Sequence, residues 1–241
     1  MEALTSVCMT TCNGERHIAA QLASILKSPR VGEVLVSDDG STDRTLEIVR
    51  SFADPRIRLL AGPRAGLIRN FESVLGAARG EYIFLADQDD VWSGRKVDAM
   101  LHALQSADLV VSDCRVVSED LHPLHPSFFA LRGSGPGLLK NLARNSYLGC
   151  CMAFRRSVLE RALPFPPGVP MHDWWIGLVA ERFGSVRFLA EPLLQYRRHG
   201  GNASSTAEPS TAAWPRRFAW RISLAVHLLW RGFTHRRANP R

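Results

Sequence analysis

The chain has 241 residues, 46% hydrophobic and 22% charged, which is enough apolar material for one globular α/β domain with a full core plus a small extension, and which excludes a disordered chain. The formal charge is +7 and its excess sits late, in Arg216, Arg217, Arg221, Arg231, Arg236, Arg237 and Arg241. Five cysteines, an odd number, with no second pair at zinc spacing and no leading charged-then-apolar segment, predict a reduced cytoplasmic setting. No apolar run reaches the ~20 residues that a membrane-spanning helix needs.

Residues 4–10 read as a first strand, and Thr11-Cys12-Asn13-Gly14-Glu15 as a turn into a helix that carries Ile18, Leu22, Ile25 and Leu26 at helical spacing. Val34-Leu35-Val36-Ser37 predicts a second strand, closed by Asp38-Asp39-Gly40. Ser41 or Thr42 is then expected to cap a helix with Leu46, Ile48, Val49 and Phe52. A third strand at Ile57-Arg58-Leu59-Leu60 leads to a helix through Phe71, Val74 and Leu75, with Arg69 on its first turn near the sheet's ligand edge. Tyr82-Ile83-Phe84-Leu85-Ala86 is a fourth, buried strand that ends in Asp87-Gln88-Asp89-Asp90.

That acidic end is the most informative stretch. Three carboxylates in four residues repel one another unless a cation or an Arg/Lys cluster lies among them, and strand C-termini in open α/β sheets are where ligands bind. The same spelling also fits a solvated acidic turn. A helix is expected from Trp92 onward through Val97, Met100 and Leu104, then a strand at Leu109-Val110-Val111-Ser112-Asp113. Residues 116–145 are rich in Pro, Gly and His and are expected to form variable loops. A strand over residues 147–154 and a proline-rich connector over 164–170 precede a helix opening at His172-Asp173-Trp174-Trp175. There Asp173 is placed either as N-cap or as a carboxylate held against an apolar wall as a general base. Residues 186–189 read as a last strand, and Tyr196-Arg197-Arg198-His199-Gly200 as a loop in which His199 is a candidate metal ligand beside Asp89. Neither G-x-G-x-x-G nor a Walker-type loop follows any strand, so dinucleotide and P-loop chemistry lose their support.

Seven segments in order resemble glycosyltransferase family 2, and within it bacterial rhamnosyltransferase-like members. They are Asn13-Gly14-Glu15 with Gln21-Leu22-x-Ser24-Ile25, Ser37-Asp38-Asp39-Gly40-Ser41-Thr42-Asp43, Arg69-Asn70-Phe71, Ala86-Asp87-Gln88-Asp89-Asp90-Val91-Trp92, Gly149-Cys150-Cys151-Met152-Ala153-Phe154, His172-Asp173-Trp174-Trp175, and Tyr196-Arg197-Arg198-His199-Gly200-x-Asn202. The resemblance implies a GT-A fold, a Rossmann-like mixed sheet flanked by helices, over residues 1–205. Outside the resemblance, the aromatic and arginine content of residues 206–241 reads as a basic amphipathic helical tail, expected to make a peripheral contact with the inner face of the plasma membrane. The resemblance further implies an inverting, metal-dependent transferase that moves a sugar, best L-rhamnose, from dTDP-L-rhamnose or a UDP-sugar to a hydroxyl of a glycan or lipid-linked saccharide in cell-surface polysaccharide synthesis. The roles it carries are Asp173 as base, Thr11, Asn13, Glu15, Asp38, Asp39, Arg69, Asp87 and Gln88 at the nucleotide sugar, and Asp89 and His199 at Mg²⁺ or Mn²⁺.

Two other readings compete. Asp87-Gln88-Asp89-Asp90-Val91 formally fits the D-x-D-x-[TV] strand end of a haloacid-dehalogenase-type phosphatase, although that motif belongs on a first strand and here stands on the fourth. The arginine-rich tail fits a non-catalytic basic nucleic-acid-binding module, against which the core ends its strands in acids that repel phosphate backbones. No nucleic-acid partner is therefore expected.

Overall fold

The computed structural model describes residues 4–200 and 214–238; Asn202 and the expected domain boundary at 205/206 lie outside them. One nine-stranded mixed sheet organises the molecule. Strand β1 (Thr5–Thr11) is buried along its whole length because it lies between two parallel partners, β2 (Glu33–Asp38) and β4 (Tyr82–Ala86), with helices on the faces. Burial on both faces is why these strands read as unbroken apolar runs rather than alternating ones. β3 (Ile57–Ala61) pairs with β2 and forms that edge.

The other half of the sheet turns antiparallel. β8 (Met152–Arg155) pairs antiparallel with both β4 and β6 (Leu109–Val117). β9 (Val186–Arg197) runs parallel to β6 and antiparallel to the two-residue β5 (Val91–Trp92), while β7 (Pro123–His125) hangs off β6. Helices α1 (Ile18–Leu26), α2 (Thr45–Ser51), α3 (Leu67–Gly76) and α4 (Lys96–Ala103) follow β1, β2, β3 and β5 in turn. The short α5 (Phe128–Arg132), α6 (Leu138–Ala143) and α7 (Arg156–Ala162) and the longer α8 (His172–Phe183) come later in the chain.

Five expectations are corrected. Neither Ser41 nor Thr42 caps α2, which starts at Thr45 after Arg44; Asp43 Oδ1 accepts the Thr45 N–H at 3.0 Å, the Ser41 hydroxyl donates to Asp38 at 2.5 Å, and Thr42 is bonded through its N–H to Asn13 Oδ1 at 2.9 Å. The helix expected from Trp92 starts at Lys96, since Val91 and Trp92 are drawn into the sheet by Gln195 and Leu194. The expected strand over 147–154 is a 3₁₀ turn at Gly149–Cys151 before β8, because the Gly149 N–H is bonded to the Asp173 carboxylate instead of a neighbouring strand. In α8, Met171 holds the cap position and Asp173 lies inside the first turn. Residues 116–145 hold β7, α5 and α6, of which α5 carries a local signal: Ser127 caps it by accepting the Ala130 N–H at 3.0 Å.

A last helix, α9 (Trp214–Ala238), rests on α6 and α8. Leu224 and Leu228 are its buried contacts. Arg221 donates from Nε to the Ala143 carbonyl at 2.9 Å, and Arg231 donates to the carbonyls of Leu163 and Pro164 at 2.8 and 2.5 Å. Its outer face exposes Trp214, Phe218, Ile222, Val226, Trp230 and Phe233. No helix among the described residues is long and apolar enough to cross a membrane.

Candidate active site

The parallel register brings three strand ends level. Thr11 lies opposite Asp38 and Met9 opposite Ala86, so the loops after β1, β2 and β4 meet at one edge. The first two are stapled together: the Asn13 N–H donates to Ser41 Oγ at 2.8 Å, Gly14 N–H to Thr45 Oγ1 at 2.8 Å, Glu15 N–H to Asp43 Oδ2 at 3.1 Å, and the Arg44 N–H returns to Glu15 Oε2 at 3.0 Å. Asn13 accepts a positive φ of 51°, which Asn tolerates better than most residues. Asp38 closes its own turn, accepting from the N–H groups of Gly40 and Ser41 at 3.0 and 2.9 Å.

These loops wall a cleft of about 360 Å³. At one wall Asp39 accepts the Gly66 N–H through Oδ2 at 2.9 Å, while its Oδ1 is buried without a hydrogen-bond partner among the described residues. A buried, unpaired carboxylate oxygen has the capacity to accept a ligand N–H. Gln88 spans the loops, its Oε1 accepting from Thr11 Oγ1 at 2.6 Å and from the Cys12 N–H at 2.9 Å. A side chain at position 14 would collide with that amide, since a Cβ there would stand 2.4 Å from Gln88 Oε1. Cys12 is exposed on the cleft wall.

The acidic strand end divides by environment. Asp87 lines the cleft, and burial, followed by the charges of Asp89 and Asp173, pushes its pKa up to about 8. Asp89 also lines the cleft and meets His199, with Nε2 and Oδ2 2.8 Å apart. Asp90 is fully buried, accepts the Arg197 N–H at 3.1 Å, and faces Cys150. Burial, then the neighbouring charges of Asp89 and Asp87, raises its pKa well above the usual carboxylate range. Arg197 also donates from Nε to the Asp89 carbonyl at 2.7 Å, so β9 fixes the geometry of the acidic loop.

Two donor sets could receive a cation. The side chains of Asp87, Asp90 and Cys150 offer ligand atoms within 4.8 Å of one another, but a buried thiol is a soft ligand and Asp90 sits wholly inside the fold. Asp89 and His199 instead offer a carboxylate oxygen and an imidazole nitrogen at the cleft, a pair that suits Mn²⁺ or Mg²⁺ with positions left for anionic oxygens.

Across the cleft, α8 presents His172 and Asp173, both buried. Asp173 accepts the Gly149 N–H at 3.1 Å and the Trp174 N–H at 2.6 Å. Burial nonetheless raises its pKa to about 6, the backbone donors offsetting only part of the desolvation. A carboxylate so tuned, charged at neutral pH yet basic enough to accept a proton, is suited to general-base work. His172 is stacked on Phe71 and driven by burial to a pKa of about 3.

Of the residues singled out in the sequence, Thr11, Asp39, Asp87, Gln88, Asp89 and Asp173 share this cleft, and His199 joins it through Asp89. Asn13, Glu15 and Asp38 are set back, their side chains spent on the loop staples and turn. Arg69 is exposed on α3 and ion-paired with Glu72. Sequence reasoning missed Asn70, His172, Asp90 and Arg197, and also Gln21, whose Nε2 donates to the Asp87 carbonyl at 2.9 Å. All five stand inside the seven segments, so their position was a signal even where their role was not.

The family model for Glycosyl transferase family 2 matches residues 6–163. An Escherichia coli protein named UDP-Glc:alpha-D-GlcNAc-diphosphoundecaprenol beta-1,3-glucosyltransferase WfgD is 28% identical over 188 residues, 73% of this chain and 68% of that protein. The dTDP-rhamnosyl transferase RfbG of Shigella flexneri is 23% identical over 220 residues, 80% of this chain and 72% of that one. Among solved structures, S. aureus TarS 1-349 in complex with UDP-GlcNAc superposes with a TM-score of 0.67 at 19% identity, covering 98% of this chain and 74% of that one. A mannosyltransferase from Pyrobaculum calidifontis in complex with GDP-Man and Mn²⁺ gives 0.62 at 22% identity, covering 100% and 66%. The phosphatase and nucleic-acid-binding readings find no support in these relatives or in a cleft walled by four carboxylates. A mixed, helix-flanked sheet, strand ends that converge on one acidic cleft, and a family match to well over half of its length make this chain a glycosyltransferase with the GT-A fold, a member of Glycosyl transferase family 2.

Proposed function

We propose that the cleft holds a pyrimidine nucleoside-diphosphate sugar and transfers the sugar, with inversion, to a hydroxyl of a glycan or lipid-linked saccharide. The observation that carries this reading is the convergence of Asp39, Asp87, Asp89 and Asp173 on one cleft. Asp39 Oδ1, buried and without a partner among the described residues, accepts the imide N–H of the base. Thr11 and Gln88 hold the loop against which the nucleotide lies, Asn13, Glu15 and Asp38 shape that loop, and Arg69 closes its outer side. Asp87 meets the ribose.

Asp89 and His199 would hold Mg²⁺ or Mn²⁺. When bound, such an ion supplies positive charge to the diphosphate. Asp173 takes the proton from the acceptor hydroxyl, whose oxygen forms the new bond to the anomeric carbon. The bond from that carbon to the diphosphate oxygen breaks and its electron pair leaves with the nucleotide. One displacement inverts the centre.

L-Rhamnose from dTDP-L-rhamnose is the first donor we propose, supported by the Shigella relative's name; a UDP-sugar, supported by the E. coli relative's, is the alternative. An acceptor linked to a lipid would suit the apolar outer face of α9, which we propose touches the membrane surface. The test is thermal stabilisation by dTDP, UDP and GDP with and without Mn²⁺, in the native chain and in Asp89→Ala. Ligand that binds the native state raises Tm by mass action. A metal-dependent rise with dTDP or UDP that disappears in Asp89→Ala is expected; no rise with any nucleotide refutes the donor site.

A further inference from the structure

His172 is a polar group of the cleft to which neither the fold nor the donor-site reading gives a partner. Its side chain is 3% exposed and lines the cleft. The ring lies flat on Phe71, with centroids 3.8 Å apart and planes 19° from parallel, so its nitrogens are held in fixed directions. Neither Nδ1 nor Nε2 has a hydrogen-bond partner among the described residues. Two buried, unpaired nitrogens weaken a fold, and native structures keep few such groups without a use for them.

The direction of Nε2 follows from its neighbour. A Cβ built on Gly149 would stand 3.1 Å from His172 Nε2 and 3.5 Å from Asp173 Cβ. Gly149 itself lines the cleft. The missing side chain therefore leaves open a space on which the imidazole and the Asp173 side chain both border. Asp87, Gly149, His172 and Asp173 line the same cleft, which puts this space between the nucleotide side of the cleft and the base. Burial keeps the ring neutral, so it offers one N–H and one lone pair.

We propose that His172 is a sugar-reading residue, its imidazole hydrogen-bonding a hydroxyl of the sugar being transferred beside Asp173. The proposal rests on the donor-site reading above. A hydroxyl both donates and accepts, so it satisfies either tautomer of a neutral ring. A phosphate oxygen only accepts and is better met by charged donors. Because the ring is pinned by Phe71, a sugar whose hydroxyl points elsewhere leaves the nitrogens unpaired again, and that is a source of discrimination.

The test compares affinities of UDP, dTDP, UDP-glucose, UDP-N-acetylglucosamine and dTDP-L-rhamnose, with Mn²⁺, for the native chain, His172→Phe and His172→Asn. In His172→Phe at least one nucleotide sugar is expected to weaken about tenfold or more relative to its own nucleotide, with nucleotide affinity within about twofold of native. His172→Asn, which keeps a donor and an acceptor, recovers part of that loss. Since Phe retains the stack on Phe71 and removes the unpaired nitrogens, His172→Phe should melt no lower than the native chain. Sugar-to-nucleotide affinity ratios that are unchanged in both variants overturn the proposal while leaving the donor site standing. So does an effect confined to the KM of the acceptor, and so does equal loss of nucleotide and nucleotide-sugar binding in both variants, which marks a structural role. If neither UDP nor dTDP binds the native chain, the donor-site reading fails and this one falls with it.

Discussion

Asp173 carries the sharpest residue-scale expectations. Its carboxylate is buried, meeting the Gly149 and Trp174 N–H groups, and its pKa is raised to about 6 by that burial. The base form is the charged form, so activity should fall as pH drops through about 6 and level off above it, which initial rates between pH 5 and 8 would record. Asp173→Asn should lower kcat by about 10²- to 10⁴-fold while leaving nucleotide affinity within about twofold, because the amide keeps the shape but cannot accept the proton. The stability sign is opposite to that of a salt-bridged acid. With the folded pKa above the unfolded value, the folded chain binds the proton more tightly, so this group's contribution becomes unfavourable as pH rises from about 4 through 6, by a cost on the order of 2–3 kcal/mol. Asp173→Asn should therefore not lower Tm at pH 7.5, and a drop of several degrees there would argue against this account of the site.

At the scale of elements, the base is positioned by α8, and α8 is positioned by a close approach. At Gly177, one turn after Asp173, a Cβ would meet the Tyr147 ring at 2.4 Å. Tyr147 is buried, its hydroxyl bonded to Glu181 at 3.2 Å, and Trp174 and Trp175 anchor the same helix through indole N–H bonds to the carbonyls of Asn141 at 2.7 Å and Ala162 at 2.9 Å. A rigid ring cannot yield as a flexible chain end would. Gly177→Ala should cost about 1–3 kcal/mol in denaturant unfolding and lower kcat more than it changes nucleotide affinity, because it moves α8 and spares the β1, β2 and β4 loops. Nucleotide affinity lost as much as kcat would show that the two walls do not move separately.

For the whole molecule, the question is what the outer face of α9 meets. Its buried side is fixed by Leu224, Leu228 and the Arg221 and Arg231 bonds to backbone carbonyls. The other side exposes an apolar, aromatic-rich stripe with Arg216 stacked over Trp220, and the helix contains no acidic residue. Such a face suits an anionic bilayer surface, where apolar burial and charge attraction add. The chain should sediment with vesicles that contain phosphatidylglycerol and much less with neutral ones, the binding weakening as salt is raised. Phe218→Ser with Trp230→Ser should reduce it severalfold without affecting nucleotide-dependent stabilisation. Equal recovery in the supernatant with both vesicle types would remove the membrane from the proposed function.

Local patterns carried much of this protein. The run Thr5–Thr11, the apolar spacing of Ile18–Leu26 and the acids after Tyr82–Ala86 specify strand, helix and a charged strand end from nearest neighbours alone, because period and burial are written in each segment. The order of the seven segments was enough to imply the GT-A fold. Only the tertiary structure decided which acids face the cleft. Asp38 and Asp39 are adjacent and chemically identical, yet Asp38 is spent on its own turn and Asp39 on the cleft wall. Likewise Asp89 meets His199 while Asp90 turns inward to Arg197. The choices of Asp39, Asp89 and Asp90 depend on partners 27 to 110 positions away, and the burial that raises the pKa of Asp173 and leaves His172 unpaired is likewise long-range. Long-range packing sets desolvation and hydrogen bonding, and neither has a local period that a sequence could display.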